Sequence, residues 1–324
     1  MRRVLVTGMG GAMGTRVAQL LEARPELEDV AGFDFMPPRR RLRRATFKRI
    51  DPRDRDRVVA FVTEFAPDAV AHVGLYEPDA RMGGREAAAS TEACTVNALG
   101  AAARAGRLER LVVRSGLEVY GRGGGHPLVP DEWAPLQPTT PYGRMCLDVE
   151  TVAAGVGRRH DIRFGAVRCA VVAGSHAPSP LARVLRLPAV PVPALADPPF
   201  ALLDTDDAAR ALVAALVGDV DGPYNVVGPG AASPWQAVRR GGRVPIPVLG
   251  FGWQVAGQVA ELAGAPVPAH VIELLRWGRT ADGSRAVTDL GLDGLRPTQE
   301  VLDDLYTWAT VTRLEPGQRA VKVS

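Results

Sequence analysis

Three glycines at regular intervals follow the first apolar run of the chain. Val4-Leu5-Val6-Thr7 leads into Gly8, Gly11 and Gly14, and an amphipathic stretch follows. A strand, a glycine-rich turn and a helix in this order let the backbone approach a pyrophosphate closely, and unpaired N–H groups at the helix N-terminus can bind it. The sequence therefore predicts a dinucleotide-binding loop over residues 7–14, with Ala12 and Met13 in its binding part. The alternative is a purely structural turn.

An acidic residue, Asp34, follows Gly14 by twenty residues at the end of the second apolar run. A carboxylate in this position can accept hydrogen bonds from both hydroxyls of an adenosine ribose but repels a 2′-phosphate, so NAD is favoured over NADP. Five arginines follow between residues 39 and 44. They could reach a 2′-phosphate if their loop folds back; a solvated charged loop is the other interpretation.

Short β-branched runs alternate with alanine-rich stretches of helical period up to Arg168, which is typical of βαβ units in one parallel sheet. Strands are predicted at Val4–Thr7, Val30–Asp34, Phe47–Ile50, Ala69–Val73, Leu111–Ser115 and Ile162–Val167. Helices are predicted at Gly14–Ala23, Arg53–Phe65, Glu86–Ala105 and Tyr142–Arg159. The predicted fold is thus α/β, a Rossmann-type doubly wound parallel sheet, with residues 1–168 as the NAD(P)-binding domain.

Residues 169–324 are predicted to form a smaller, mixed substrate-binding region, some of whose strands and helices return to the first domain. Seven prolines between residues 178 and 199 argue against long regular elements there. We expect that segment to be irregular covering structure. Later helices are predicted at Asp206–Val217, Trp253–Ala263, Ala269–Trp277 and Thr298–Thr312.

Composition limits the classes of protein that the chain can belong to. The 39 basic and 36 acidic residues nearly balance, which calls for no nucleic-acid partner. The three cysteines form no Cys-x-x-Cys pair, the five histidines show no metal-ligand spacing, and no apolar run is long enough to span a membrane. With no room for a signal peptide before the first strand, we expect a cytoplasmic protein without a metal site.

Further motifs resemble those of the extended short-chain dehydrogenase/reductase family, the nucleotide-sugar epimerases and dehydratases. The family's Thr-Gly-x-x-Gly-x-x-Gly matches Thr7–Gly14, and other matches follow in family order. They are Asp51 as the adenine-contacting acid, Asp68–His72 as the fourth strand, Asn97–Gly100, Val119–Gly121, Asp131-Glu132, Pro141–Gly143 and Gly222–Val226. The resemblance implies bound NAD, a nucleotide-sugar substrate, a homodimer built on the helices at 86–105 and 142–159, and cofactor contacts from Asp34, Asp51, Asn97 and Tyr142.

The catalytic positions depart from the family pattern. The family's tyrosine, matched by Tyr142, is a general acid/base whose pKa is lowered by a lysine four residues on, where this chain has Cys146. Lysine occurs only at positions 48 and 322, and the other 37 basic residues are arginines. The family's substrate-orienting serine or threonine falls on Gly116; the adjacent Ser115 could serve only if the strand bulges or has ended.

Three more positions bear on the catalytic site. The family's substrate-contacting asparagine falls on Val171. Arg114 and Arg168 could supply a positive charge near the expected cleft, although ion pairs at strand ends are the alternative. His72 could lie near the nicotinamide or be a packed strand residue.

Three functions remain open on these residues. The first is an NAD-dependent epimerase or dehydratase with Tyr142 and Ser115 as catalytic residues. The second is a non-catalytic dinucleotide-binding sensor or partner-binding module. The third is a reductase on the same fold that protonates its substrate through water or Cys146.

Overall fold

The computed structural model of the protein describes residues 2–79, 82–123, 125–174, 179–219, 221–250, 252–253 and 267–311. Eleven strands occur in these ranges: β1 Arg3–Thr7, β2 Asp29–Asp34, β3 Thr46–Arg49, β4 Ala69–His72, β5 Arg110–Gly116, β6 Arg163–Cys169, β7 Val171–Ala173, β8 Ala189–Pro193, β9 Leu202–Asp204, β10 Gly222–Val226 and β11 Val244–Val248. The helices in these ranges are α1 Ala12–Glu22, α2 Arg55–Phe65, α3 Gly84–Arg104, α4 Pro141–His160, α5 Pro180–Leu185, α6 Thr205–Val217, α7 Pro234–Arg240, α8 Ala269–Trp277, α9 Ser284–Leu290 and α10 Thr298–Val311, with a short 3₁₀ helix at Leu117–Tyr120.

A seven-stranded parallel sheet in the order β10-β6-β5-β4-β1-β2-β3 forms the centre of the fold. Helices cover both of its faces, which is why strand residues such as Val4, Leu5 and Val6 are fully buried whichever face they point to. The strand order reverses between β1 and β4, and ligands of doubly wound sheets bind beside the carboxyl ends of strands at such a point. The predicted α/β doubly wound fold is confirmed.

A second apolar core lies outside this sheet. Side chains from α5, β8, α7, α8 and α10 build it, and two small sheets, β8 with β11 and β7 with β9, accompany it. Chain beyond residue 168 also returns to the large sheet, because β10 pairs with β6 and α6 packs against α1. The division into domains at residue 168 stays a prediction.

The differences from the predicted elements are small and local. Helix α1 begins at Ala12, two residues earlier than predicted, with Gly11 as its N-cap. The proline-rich segment holds one helix of six residues and one strand of five, so its regular elements are short, as expected. The predicted helix Trp253–Ala263 lies, beyond Trp253, outside the described residues.

Candidate active site

The glycine loop joins β1 to α1 at the point where the strand order reverses. Gly8 has φ +67°, a conformation that favours glycine, and a Cβ on Gly14 would overlap the Gly8 carbonyl oxygen. A Cβ on Gly11 would meet nothing nearer than 3.5 Å. Because Gly11 has no side chain to cap the helix, the first-turn N–H groups, those of Ala12, Met13 and Gly14 among them, have no side-chain acceptor. The loop therefore offers donors and open space to an anion.

Asp34 lies at the carboxyl end of β2, next to this loop. Its side chain is 3% exposed and accepts hydrogen bonds from the backbone N–H of Gly10 (3.1 Å) and Phe35 (2.7 Å) and from the Tyr76 hydroxyl (3.2 Å). Burial raises the pKa of Asp34 to about 6, although the hydrogen bonds oppose the rise. Tyr76 was not predicted at this site; its place just beyond β4 was the signal available in the sequence.

The arginine-rich loop folds back over α1. The Arg39 N–H donates to Thr15 Oγ1 (3.0 Å), and Gln19 Nε2 donates to the Arg41 carbonyl (3.0 Å). Helix α1 and the arginine-rich loop border a cavity of about 820 Å³, which is large enough for a ligand. Its lining comprises Ala12, Arg16, Arg39, Arg40, Gly174, Asp204, Thr205, Asp206, Asp207, Arg210 and Arg296. Charges of both signs therefore surround the start of α1.

Asp51 and Asn97 lie on neighbouring segments. Asp51 is ion-paired with Arg53 (2.8 Å), whose hydrogen bond lowers the pKa of the Asp51 carboxyl. Asn97, on α3, donates through Nδ2 to the carbonyl of Pro52 (3.1 Å). Asn97 thus fixes the backbone next to Asp51.

Tyr142 lies in the first turn of α4, which begins at Pro141 and is capped by the Thr140 hydroxyl accepting from Gly143 N–H (3.1 Å). It is 5% exposed, and its ring lies 4.6 Å from the ring of His270, on α8, between centroids. Burial raises the pKa of Tyr142 well above its usual value. The phenol is therefore protonated at neutral pH in this structure.

The space at Tyr142 is a small, partly open cavity of about 20 Å³, with room for about one water molecule. Its lining comprises Glu77, Arg114, Ser115, Gly116, Glu118, Tyr142, Cys169, Ala170, Val171 and Val172. Cys146 lies one helical turn beyond Tyr142 and is fully buried, and burial raises the pKa of its thiol well above the usual value. Cys146 is therefore neutral.

Ser115 lines the same cavity, but its hydroxyl donates to Glu150 on α4. The strand neither bulges nor ends before it, because β5 pairs regularly with β6 through Gly116. Arg168 holds the same Glu150 carboxylate (2.7 Å) and donates to the Tyr120 hydroxyl (2.9 Å). Of the two roles considered for Arg168, a charge near the cleft or an ion pair at a strand end, the structure shows the ion pair.

Three motifs of the family resemblance meet in this part of the molecule. The Tyr120 hydroxyl donates to Asn225 Oδ1 (2.7 Å), and the Asn225 N–H donates to Glu132 Oε1 (2.8 Å). Val119-Tyr120-Gly121 and Tyr224-Asn225 are therefore joined by a buried hydrogen bond between β10 and the 3₁₀ helix.

Five charged or titratable side chains near Tyr142 were not predicted from the sequence. Glu118 accepts from Arg279 (2.9 Å), which also pairs with Glu273 on α8, and His270 Nε2 is 3.0 Å from Glu77 Oε1. Glu118 had a sequence signal, a lone charge in the apolar run Leu117–Tyr120. His270 and Arg279 had none, since they reach the site only through the fold.

His72 lies inside the sheet layer. Its ring nitrogens are 2.8 Å from Thr7 Oγ1 and 3.0 Å from Thr95 Oγ1, and burial lowers its pKa to about 4. His72 is thus a packed, neutral strand residue. No cluster of His, Cys, Asp and Glu suited to a metal ion occurs within the described ranges. The helices that the structure describes include none with the length and apolarity needed to cross a bilayer.

Comparison with known proteins agrees with this geometry. The NAD dependent epimerase/dehydratase family model matches residues 4–227. Uncharacterized proteins of Mycobacterium bovis and Mycobacterium tuberculosis are 30% identical over 316 residues, which cover 94% of this chain and 83% of theirs.

Solved structures share the fold at lower identity. A UDP-glucose 4-epimerase from Thermotoga maritima, solved with UDP-glucose, superposes with a TM-score of 0.72 at 18% identity, covering 96% of this chain and 99% of that one. A UDP-glucuronic acid 4-epimerase from Bacillus cereus, solved with UDP-glucuronic acid and NAD, has a TM-score of 0.72 at 19% identity, covering 95% and 99%. With the glycine loop, Asp34 and the matched family model, this chain belongs to the NAD-dependent epimerase/dehydratase family.

Proposed function

We propose that the protein is an NAD-dependent enzyme of the epimerase or dehydratase type, acting on a nucleotide-linked sugar or a related hydroxyl or carbonyl compound. The observation that carries this proposal is Asp34, held by the Gly10 N–H beside the glycine loop. A carboxylate there suits the ribose diol of NAD and opposes the 2′-phosphate of NADP. NAD is therefore the proposed cofactor, and NADP the weaker ligand.

The residues present fit a dinucleotide. Gly11 leaves space for the phosphates, the start of α1 supplies N–H donors, and Asp34 supplies acceptors. A nicotinamide, when bound, accepts and returns a hydride. In its ionised form Tyr142 would accept the proton of the substrate hydroxyl as the hydride leaves, and it would return that proton to the carbonyl oxygen as the hydride comes back. The buried phenol must therefore first lose the proton that it holds at neutral pH. Ser115, the other catalytic residue predicted from the sequence, takes no part in this proposal, because its hydroxyl donates to Glu150 and its strand neither bulges nor ends before it.

The substrate class rests on the structural neighbours and on the cavity. The neighbours from Thermotoga maritima and Bacillus cereus were solved with UDP-sugars. In this chain Glu77 and Glu118 line the cavity beside Tyr142, and carboxylates accept hydrogen bonds from sugar hydroxyls. These observations support a nucleotide sugar.

A second candidate is a non-catalytic dinucleotide-binding protein. It is favoured by the small volume of the cavity at Tyr142, which has no room for a sugar in this conformation, and by the neutral Cys146. Such a protein would bind NAD and have no turnover.

One experiment separates the two candidates. NAD and NADP binding are measured by calorimetry, and turnover is measured with UDP-glucose and UDP-glucuronic acid. We expect NAD to bind more tightly than NADP, and Tyr142→Phe to lower turnover at least about 100-fold, since the proton carrier is lost, with little change in NAD affinity.

Tyr306→Phe is the control, because the Tyr306 hydroxyl donates to the Ala237 carbonyl beside the second core. Failure to bind either dinucleotide contradicts both candidates. If NAD binds, neither sugar is turned over and Tyr142→Phe leaves the NAD affinity unchanged, the non-catalytic candidate is supported.

We further propose a homodimer and a cytoplasmic location. Helices α3 and α4 pack together, and Val96 and Val152 on their outer faces are 53% and 37% exposed. The cysteines Cys94, Cys146 and Cys169 are all free and buried, which fits a reducing compartment. Sedimentation velocity tests the dimer, and cell fractionation tests the location.

A further inference from the structure

The helix that carries Tyr142 supplies no positive charge beside it. Cys146 is neutral, and Arg144, two residues from Tyr142, is exposed. A buried phenol without a cation nearby keeps its proton too strongly to exchange it with a substrate. A charge for Tyr142 must therefore come from another element.

Strand β5 provides one. Arg114 is the single cation among the described residues that line the small cavity at Tyr142. Its Nη1 donates to the Leu75 carbonyl (3.1 Å), and its Nη2 lies 4.0 Å from Glu77 Oε2. These contacts hold the guanidinium at the carboxyl end of β4 and beside the cavity.

We propose that Arg114 is the positioning residue that tunes Tyr142 as a proton carrier, so that a strand arginine supplies the charge that α4 lacks. The other buried arginines in this region are bound elsewhere: Arg168 by Glu150, Arg279 by Glu118 and Glu273, and Arg122 by the carbonyls of Gly278 and Thr280. The inference rests on the proposed function in one respect, because that function makes Tyr142 the proton carrier.

The charges around Tyr142 act in both directions. Burial raises the pKa of Tyr142, Arg114 opposes that rise, and Glu77 and Glu118 add to it, whereas the neutral Cys146 contributes no charge. Glu77 reaches the cavity from the segment after β4 and Glu118 from the 3₁₀ helix, while His270, on α8, covers the ring. Arg114 is thus the one group among those named that draws the phenol toward ionisation.

A guanidinium differs from an ammonium in this role. An arginine stays charged at every pH at which the protein is folded, whereas a buried lysine can lose its proton. The charge beside Tyr142 is therefore fixed, and the proton affinity of Tyr142 depends on the other groups and on what enters the cavity.

The test measures the ionisation of Tyr142 directly. The full chain is labelled with 3-fluorotyrosine and titrated by ¹⁹F NMR, and the Tyr142 resonance is identified by its absence in Tyr142→Phe. We expect Arg114→Met to raise the titration midpoint of Tyr142 by at least about one pH unit, because the cation is removed, and Arg114→Lys to restore most of the difference. Arg114→Gln, which keeps a donor for Leu75, replaces Arg114→Met if that variant fails to fold.

Arg110→Met is the matched control. Arg110 lies on the same strand and the same side, four residues toward its start, and its guanidinium donates to the carbonyls of Leu216 and Gly218. It should leave the Tyr142 midpoint unchanged. Equal midpoints in Arg114→Met and the wild type, or a Tyr142 resonance that does not move with pH in either protein, overturn the proposal.

This readout needs neither cofactor nor substrate. A shifted midpoint in a protein that binds no dinucleotide contradicts the proposed function alone. An unshifted midpoint in a protein that turns over a nucleotide sugar contradicts the role of Arg114 alone.

Discussion

We expect Asp34 to make dinucleotide binding depend on pH. Its carboxyl has a pKa of about 6 because it is buried, so it is mainly ionised at pH 7.5 and mainly protonated at pH 5. A protonated carboxyl loses part of its capacity to accept the ribose hydroxyls. We expect NAD affinity to fall about tenfold from pH 7.5 to pH 5, with most of the loss below pH 6, as measured by calorimetry.

The control for this dependence is Asp34→Asn, whose side chain does not titrate. It should bind NAD more weakly at pH 7.5 and show a nearly flat affinity between pH 7.5 and 5. His72 does not contribute, because its pKa of about 4 keeps it neutral over this range. An equal pH dependence in wild type and Asp34→Asn would assign the effect to another group.

Residues predicted from the sequence are those whose role depends on local chain geometry. Gly8, Gly14 and Asp34 lie within 27 residues of one another and follow from one strand–turn–helix–strand unit. The contact of Arg279 with Glu118 spans 161 residues, and that of His270 with Glu77 spans 193. No spacing rule connects residues so far apart, so the surroundings of Tyr142 had to come from the structure.

At the scale of the element, two glycines of one loop serve different purposes. Gly14 lets α1 approach β1, since its Cβ would overlap the Gly8 carbonyl oxygen, whereas Gly11 has ordinary contact distance around it. We expect Gly14→Ala to lower the free energy of unfolding by at least about 2 kcal/mol, because of this overlap. Alanine has the higher helix propensity, but its advantage of about 1 kcal/mol is too small to offset the loss. Urea unfolding without ligand measures it.

Gly11→Ala is the matched variant, because it adds the same methyl group three residues away. Its backbone, φ −66° and ψ 163°, suits any residue, so stability should change by no more than about 1 kcal/mol. NAD affinity should nevertheless fall at least about tenfold, because the methyl group occupies the space left for the phosphates. Unchanged NAD binding by Gly11→Ala would show that the phosphates lie elsewhere.

The positions of the helices and strands that were predicted followed from apolar periodicity, whereas their ends were less exact. The short elements β7, β8, β9, β11, α5, α7 and α9 were not predicted. The prediction started α1 at Gly14, but the helix begins at Ala12, and its N-cap residue Gly11 makes no side-chain hydrogen bond. It started α4 at Tyr142, but the Thr140 hydroxyl and Pro141 set the first turn one residue earlier. The 3₁₀ helix at Leu117–Tyr120 was not predicted, because four residues are too few to show a helical period.

At the scale of the whole molecule, the two apolar cores meet beside Tyr142. Glu118 follows β5 of the large sheet, whereas Glu273 lies on α8, which packs in the second core. Arg279 is 1% exposed and pairs with both carboxylates. It therefore links the position of α8, and with it His270, to the end of β5.

Removal of this arginine should destabilise the folded protein strongly. Arg279→Met leaves Glu118 and Glu273 buried without their cation, and the loss of one partner from a buried ion pair costs about 3–5 kcal/mol. Urea unfolding measures the change. Arg53→Met is the control: its pair with Asp51 is half exposed, so it should cost less than about 1 kcal/mol.

Adding Glu118→Gln to Arg279→Met should recover part of the loss, because one uncompensated charge is removed. An Arg279→Met protein as stable as Arg53→Met, or a double variant no more stable than Arg279→Met, would contradict this link between the cores.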